Sequence, residues 1–458
     1  MKTRLFILIC LSALFIACKE NKEPVVTEAE FEVSLVQEDN SINLTVAPSD
    51  ENAVYIAGLI MEDDWNAFGG ESGLTSYIEE LVGSGLQLRS GAWSELYRDL
   101  FWQTKYYGFV AQINDGVIVG EPVVKEVLTY RPFVSFAVES VIGPVALSDN
   151  GLYAVGNSES QSWFYDVRRD SITIVQGLLY DVADDGTAYG SSGPYPMIWK
   201  DGNATDVTGV PEGATENLFF SVTPDGQTAV GYCMLGSNDM RPIIYRNGAL
   251  SVLEYGNGPD GEPAQMACAK GIGSNGYITG YILDATYMEV GCAWTPDLKF
   301  DMYPSEYMVW NDGFAFWESI YGGLENFISP NGRYIISSRT DTGDDGWGAD
   351  MYPYIYDTET KEMHDVPHMG YRPDAVSSQG LLFLSDTDMG YSSQPYVYDP
   401  ASGEMSTFAE YAAANYDYAP EGLTMQGSVV GVSEDGKTIL SGHAADENYY
   451  TVLYFLLR

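Results

Sequence analysis

The sequence predicts an all-β protein: a small antiparallel β-sandwich followed by a seven-bladed β-propeller. Three observations lead there. The first is the stretch from Gly427 to Gly442, an apolar run, an Asp-Gly turn at Asp435-Gly436 and a second apolar run closed by glycine. Asp-Gly between two such runs signals a hairpin, because the turn needs a positive φ that glycine adopts at no steric cost. The second observation is that this pattern recurs along the C-terminal two-thirds of the chain at a spacing typical of propeller blades. The third is a separate set of period-two strands ahead of the repeat, long enough for a small sandwich.

The chain has 458 residues, room for two domains, and 45 % of them are hydrophobic, enough for a sizeable core. Acidic residues outnumber basic ones 65 to 22, a formal charge of −43. Such a surface repels phosphate backbones and anionic lipid headgroups, so nucleic acid is excluded as a partner and calcium, cationic groups or neutral glycans remain. The charge reads first as a means of keeping an exported protein soluble, ahead of any charge-specific role.

Residues 1–18 read as a targeting segment. Lys2 and Arg4 form a basic start, Leu5 to Ala17 are almost wholly apolar, and Cys18 closes the run. The apolar stretch is too short to span a bilayer and fits a signal-peptide core. Ala17-Cys18 resembles the lipobox of bacterial lipoproteins, with Phe15 where leucine is usual, and the resemblance implies that Cys18 carries the lipid anchor. Lys19-Glu20 resembles the export tag of surface lipoproteins of Bacteroidota-type bacteria. An ordinary secretory signal is the alternative. The membrane would then be met through the anchor only, since two or more acyl chains hold stably. Once Cys10 and Cys18 are set aside, Cys233, Cys268 and Cys292 permit at most one internal disulfide, or remain buried thiols. With no CxxC, a thiolate metal site is not expected.

Residues 19–30 are polar and aperiodic, a tether. From 31 to 132 the strands come in order: Phe31 to Val36 and Ile42 to Ala47 as a hairpin, Val54 to Met61, Tyr106 to Ile113, and Val117 to Tyr130 after an Asn-Asp-Gly turn. Helical spacing interrupts them near Leu74 to Val82 and near Trp93 to Trp102. Leu44-Thr45-Val46-Ala47-Pro48-Ser49-Asp50 and Tyr107-Gly108-Phe109-Val110-Ala111 are similar to the fibronectin-III-like N-terminal domain of many Bacteroidota surface lipoproteins, apart from the helical stretch.

Residues 133–458 hold the repeat. Its turn glycines are Gly151, Gly186, Gly226, Gly276, Gly332, Gly380 and Gly436, separated by 35, 40, 50, 56, 48 and 56 residues. Each copy continues into an aromatic-rich strand, such as Trp163-Phe164-Tyr165-Asp166 or Tyr354-Ile355-Tyr356-Asp357, and several add a fourth run, such as Ser171 to Val175. Four strands per copy, seven copies and no clear helix predict a propeller. Arg458 follows the third strand of the last copy, so that blade lacks an outer strand, and Val134 to Val138, lying before the first copy, is free to supply it. Pro196-Met197-Ile198-Trp199-Lys200-Asp201-Gly202 and Val222-Thr223-Pro224-Asp225-Gly226-Gln227-Thr228-Ala229-Val230-Gly231-Tyr232 resemble HAF-type extracellular repeats.

In a propeller the turns after strands one and three share one face, and the loops after strand two share the other with the links between blades. The first set is short throughout. The long insertions, 256–267, 301–323, 339–353, 385–395, 411–427 and 442–450, all belong to the second. One trimmed and one elaborated face suit a scaffold with a single binding face. The ligand-binding candidates on it are Tyr307, Trp310, Trp317, Tyr321 and Trp347, because rigid aromatic faces stack on sugar rings while nearby Asp312 and Glu318 bond hydroxyls. The same aromatics can instead pack as a mini-core on their own blade.

No metal ligand or cofactor is expected; calcium at Asp341, Asp344 and Asp345 is conceivable, but that loop lacks EF-hand spacing and reads first as solvated. His364 and His368 are separated by Pro367 and lie about 13 Å apart in an extended chain, too far to share an ion. The turn Asp and Asn residues look catalytic but bond their own backbone in such turns, and the Ser-x-Asp-x-Gly-x-Thr-Trp order of sialidase boxes is missing. No catalytic residue is therefore assigned. The expected function is a monomeric, lipid-anchored outer-membrane protein, exposed at the cell surface, that binds or adheres to a glycan or protein. A carbohydrate-active enzyme and a scaffold subunit of an outer-membrane complex are the alternatives.

Overall fold

The computed structural model describes residues 27–458 apart from 140, 142–143, 159–160, 259–260, 286–288, 302–307, 312–315, 320–326, 343–348, 368–369, 387–394, 417–427 and 446–449. The chain divides into two compact units, one running to Leu100 and including Thr104–Thr129, the other formed by Phe101–Gln103 with Tyr130–Arg458. Among the described residues no helix is long and apolar enough to cross a membrane.

In the first unit β1 (Phe31–Glu38) and β2 (Ser41–Pro48) make the hairpin that their alternation predicts. They are followed by β3 (Val54–Met61), α1 (Glu62–Ala67), α2 (Glu71–Gly83), β4 (Arg89–Ser90), β5 (Trp93–Tyr97), β6 (Thr104–Asn114) and β7 (Val117–Thr129). Two antiparallel sheets result, β1-β2-β5 and β4-β3-β6-β7. β3 is apolar without alternation because both its faces are covered. Tyr55 and Ala57 join Val33, Leu44, Val46 and Val110 in one core, while Ile56 and Ile60 pack with Trp65, Leu74 and Ile78 of the helices. The helical spacing expected over Trp93 to Trp102 does not become a helix. Trp93 and Tyr97, four apart, fit a helix face and a strand face equally, and pairing with the edge of β2 decides for the strand, with Val46 opposite Trp93 and Ile42 opposite Tyr97.

The second unit holds seven four-stranded antiparallel sheets. Their inner strands are Ala146–Leu147, Leu178–Val182, Ala214–Val222, Met266–Ile272, Phe327–Ile328, Tyr371–Val376 and Ser428–Val432. The seventh sheet is completed by β8 (Phe133–Glu139), whose register runs from Phe133 opposite Leu456 to Glu139 opposite Tyr450. The last blade thus takes its outer strand from the segment before the first, which closes the ring as the sequence predicts. The apolar core is divided into seven wedges, one at every blade boundary. That between the last and first blades combines Val134, Leu453 and Phe455 with Ala154, Trp163 and Tyr165, and the other six follow in order around the ring.

The repeated turn is a device for satisfying backbone. Its Ser or Thr hydroxyl accepts from the amide five residues on: Tyr153 to Ser148 at 3.0 Å, Thr228 to Thr223 at 3.1 Å, Tyr334 to Ser329 and Thr438 to Ser433 at 2.9 Å. Its Asp or Asn accepts from the amide two residues on, as Asp225 does from Gln227 and Asp435 from Lys437, both at 3.0 Å. Successive turns also bond each other: the Glu434 amide donates to the Asp149 carbonyl at 2.7 Å and the Asp184 amide to the Pro224 carbonyl at 2.9 Å, and Asn150 Nδ2 donates to the Asp184 carbonyl at 2.8 Å. The turn Asp and Asn side chains thus bond their own backbone, as the sequence suggests.

One helix was not expected in this unit. α3 (Phe408–Asn415) follows the outer strand of the sixth blade, capped reciprocally by Thr407 and Glu410, and buries Phe408 and Ala412 in the wedge between the last two blades. Thr-x-x-Glu before an apolar run is a capping box.

Candidate functional site

A cavity of about 300 Å³ runs through the centre of the propeller, lined by the inner strands of all seven blades. Its chemistry is set by a repeated irregularity. In five blades the register between inner and second strand slips by one residue, at Leu179/Asp181, Phe219/Ser221, Ala269/Gly271, Pro373/Ala375 and Val429/Gly431. The residues left out of the ladder are Tyr180, Phe220, Lys270, Asp374 and Val430, and all five line the cavity. A bulge leaves one residue unpaired and re-aims its side chain, so the protein uses it here to present side chains to the channel. Each lies six residues before its turn glycine; in the first blade that position is Val145, also in the lining, and in the fifth it is Asn326, outside the described residues.

Glycine on the second strand makes room for the bulge. A Cβ on Gly231 would lie 1.9 Å from the Leu218 carbonyl oxygen, on Gly190 1.8 Å from that of Leu178, and on Gly280 2.0 Å from that of Cys268. The bulge also orphans backbone donors, which the preceding blade satisfies. Asp181 accepts from the Val222 amide at 2.8 Å, and the Ser221 hydroxyl accepts from the Ile272 amide at 3.2 Å.

Electrostatically the ring is uneven. Tyr180 and Phe220 meet edge to face, centroids 5.3 Å apart at 75°. Beside them the Lys270 ammonium sits 3.8 Å from the centre of the Phe220 ring, and its withdrawal from water lowers its pKa, with Cys268 and Glu289 opposing. Across the ring Asp374 is met by Arg372 at 3.2 Å. Burial pushes the Asp181 carboxyl up to about 6, against the bonds from Val222, Ser221 and Val182. Toward the trimmed face Asp149 is pushed up to about 8, first by burial and then by the charges of Asp181, Asp184 and Glu434. Among the described residues no group of three or more His, Cys, Asp or Glu side chains is placed to hold a metal ion.

Of the residues expected to bind ligand, Trp310 and Trp317 belong to described strands. Met308–Asn311 and Phe316–Ser319 form a two-stranded ribbon in the link between the fourth and fifth blades, and its register sets Trp310 directly opposite Trp317. Both ends of this link open on the elaborated face. Trp347 falls in sequence between the paired strands Tyr334–Thr342 and Ala349–Asp357 of the fifth blade. Trp347 itself, Tyr307, Tyr321 and Cys18 are outside the described residues, as are Asp312 and most of the loop considered for calcium. His364 stands exposed on the outer strand Glu362–Asp365. Cys233, Cys268 and Cys292 are free and buried. Burial pushes Cys233 up to about 11 and Cys268 to about 12, and raises Cys292 as well.

The sequence reading missed the bulge positions altogether. The signal was available: counting back six residues from every turn glycine yields the set without any structure.

No protein family matches the chain, and no curated protein matches it in sequence. Among solved structures it is similar to TolB from Acinetobacter baumannii at 12% identity, over 73% of this chain and 78% of that one, with a TM-score of 0.31. It is similar to dipeptidyl peptidase 4 from Porphyromonas gingivalis at 12% identity, over 66% of this chain and 49% of that one, TM-score 0.38. The β-propeller domain of the Trilobed protease from Pyrococcus furiosus is 10% identical over 70% of this chain and 94% of that one, TM-score 0.41.

Proposed function

We propose that this protein is a lipid-anchored binding protein of the bacterial cell surface that captures a glycan through the elaborated face of its propeller. In this reading Cys18 carries the anchor, residues 19–30 are the tether, the sandwich is a fibronectin-III-like spacer and the seven blades are HAF-like repeats. The observation that carries the proposal is the ribbon between the fourth and fifth blades, in which Trp310 and Trp317 are cross-strand partners. Directly opposed residues have Cβ atoms only about 4.5–5.5 Å apart. Tryptophan is rigid and amphipathic and loses little entropy on binding, which suits stacking on a sugar ring. The reading is supported by the contrast between long insertions on one side of the repeat and short turns on the other, where successive turns bond each other.

A glycan-array screen of the full chain beside a Trp310→Ala, Trp317→Ala double variant tests this. Binding by the wild type that a folded double variant loses is the expected result. Absence of binding by the folded wild type overturns glycan capture and leaves a protein ligand on the same face to be sought.

A further inference from the structure

Lys270 is the only cation that the described bulge positions carry into the channel, in a chain with a formal charge of −43. Its ammonium has three donors and no acceptor capacity. One side is taken by the Phe220 ring at 3.8 Å. No carboxylate or carbonyl among the described residues forms an ion pair or side-chain hydrogen bond with it, and the acids of the same channel are committed elsewhere. Asp374 is held by Arg372, and Asp181 by the amides of Val182 and Val222. Cys268, two residues away on the same strand, stays a neutral thiol because burial holds its pKa far above neutrality. A charge withdrawn from water without a partner is costly, and the deficit is met when an anion enters.

We propose that the propeller channel is a binding site for a small organic monocarboxylate, its carboxylate on Lys270 and its apolar body against Phe220 and Tyr180. Three features select that class. The cavity of about 300 Å³ is at the lower end of small-ligand sites, too small for an oligosaccharide or a peptide. A single lysine balances a single negative charge, whereas the carboxylates of Asp181 and Asp374 around the same cavity oppose a dianion such as phosphate. The edge-to-face pair of Tyr180 and Phe220 offers the apolar wall that an aryl or branched alkyl acid needs. The desolvation that lowers the pKa of Lys270 is also what makes an incoming carboxylate's charge count for more than in water. This site is separate from the one proposed on the elaborated face, and neither depends on the other.

The test is a titration of benzoate, and separately of its neutral analogue benzamide, into the full chain and a Lys270→Met variant at constant ionic strength, read by calorimetry. The wild type should bind benzoate at least tenfold more tightly than benzamide, and Lys270→Met should abolish that preference. Equal affinities in the wild type, no benzoate binding, or a preference that survives in Lys270→Met would each overturn the proposal. Should Lys270→Met fail to fold, Phe220→Leu decides through the wild-type comparison: it should weaken benzoate and benzamide together while leaving their ratio intact. Saturating benzoate should leave array binding by the face unchanged, so failure of one site is distinguishable from failure of the other.

Discussion

Asp149 shows how a residue with the look of a catalytic acid can be read. Its carboxyl is pushed up to about 8 by burial and by three neighbouring acids, yet it stands in a turn whose carbonyl accepts from Glu434. Between the ordinary 3.8 and about 8 the folded protein holds a proton that the unfolded chain releases. Stability from this group is therefore complete below about pH 4 and is lost as pH rises through 8. Asp149→Asn removes the titration, so its melting temperature should exceed that of the wild type by a margin that grows between about pH 5 and 9. A constant or shrinking margin contradicts the assignment. The three thiols make a second prediction at this scale. Buried, with raised pKa values, they should resist maleimide in the native protein and react completely in denaturant, as mapped by mass spectrometry. The sequence left a disulfide and buried thiols equally open, because pairing depends on which strands the blades bring together.

At the level of the element, the bulge and its glycine form one unit. Gly231→Ala places a Cβ 1.9 Å from a carbonyl of the adjacent strand, and that backbone can move only by giving up the bulge that aims Phe220. The substitution should cost about 2–3 kcal/mol in denaturant unfolding, in the range for overpacked cores. Gly83→Ala, the same change at the end of α2 where a Cβ meets nothing within 4 Å, should be neutral or stabilising by about 0.5 kcal/mol. Most elements were legible in the sequence, since Asp-Gly turns and period-two runs act locally and report directly on hairpins. Two were not. β5 carries a spacing that suits both periods, and only its partner β2 decides between them. The helix α3 announced itself by Thr407 and Glu410, but an eight-residue element inside an insertion is easily lost against a strand repeat. The bulges were missed for a different reason: periodicity marks which residues alternate, and a bulge is a break in alternation, so only its fixed offset from the turn glycine gives it away.

The whole molecule is held by its closure. β8 contributes Phe136, which stacks on Tyr165 with centroids 4.0 Å apart and also meets Phe455 and Trp163. It joins the first blade to the last across a sequence separation of more than 300 residues. Phe136→Ala should lower stability by about 2–4 kcal/mol, judged from truncations of packed aromatics, and should do so in the propeller transition. Ring closure was predictable because the seventh copy lacks its outer strand while a spare strand precedes the first. The face and the channel differ in how far the sequence marks them. Loop lengths suggest an elaborated face, whereas the channel is assembled from seven distant positions that share only an offset of six residues from the turn glycine. The measurement that tests the account most directly is a calorimetric titration of the strongest array glycan into three proteins: the wild type, the Trp310→Ala, Trp317→Ala variant and Lys270→Met. The account predicts at least a tenfold loss of affinity in the double tryptophan variant and no change in Lys270→Met. Full affinity in a folded double variant, or loss in Lys270→Met alone, would contradict it and move the glycan site away from the ribbon.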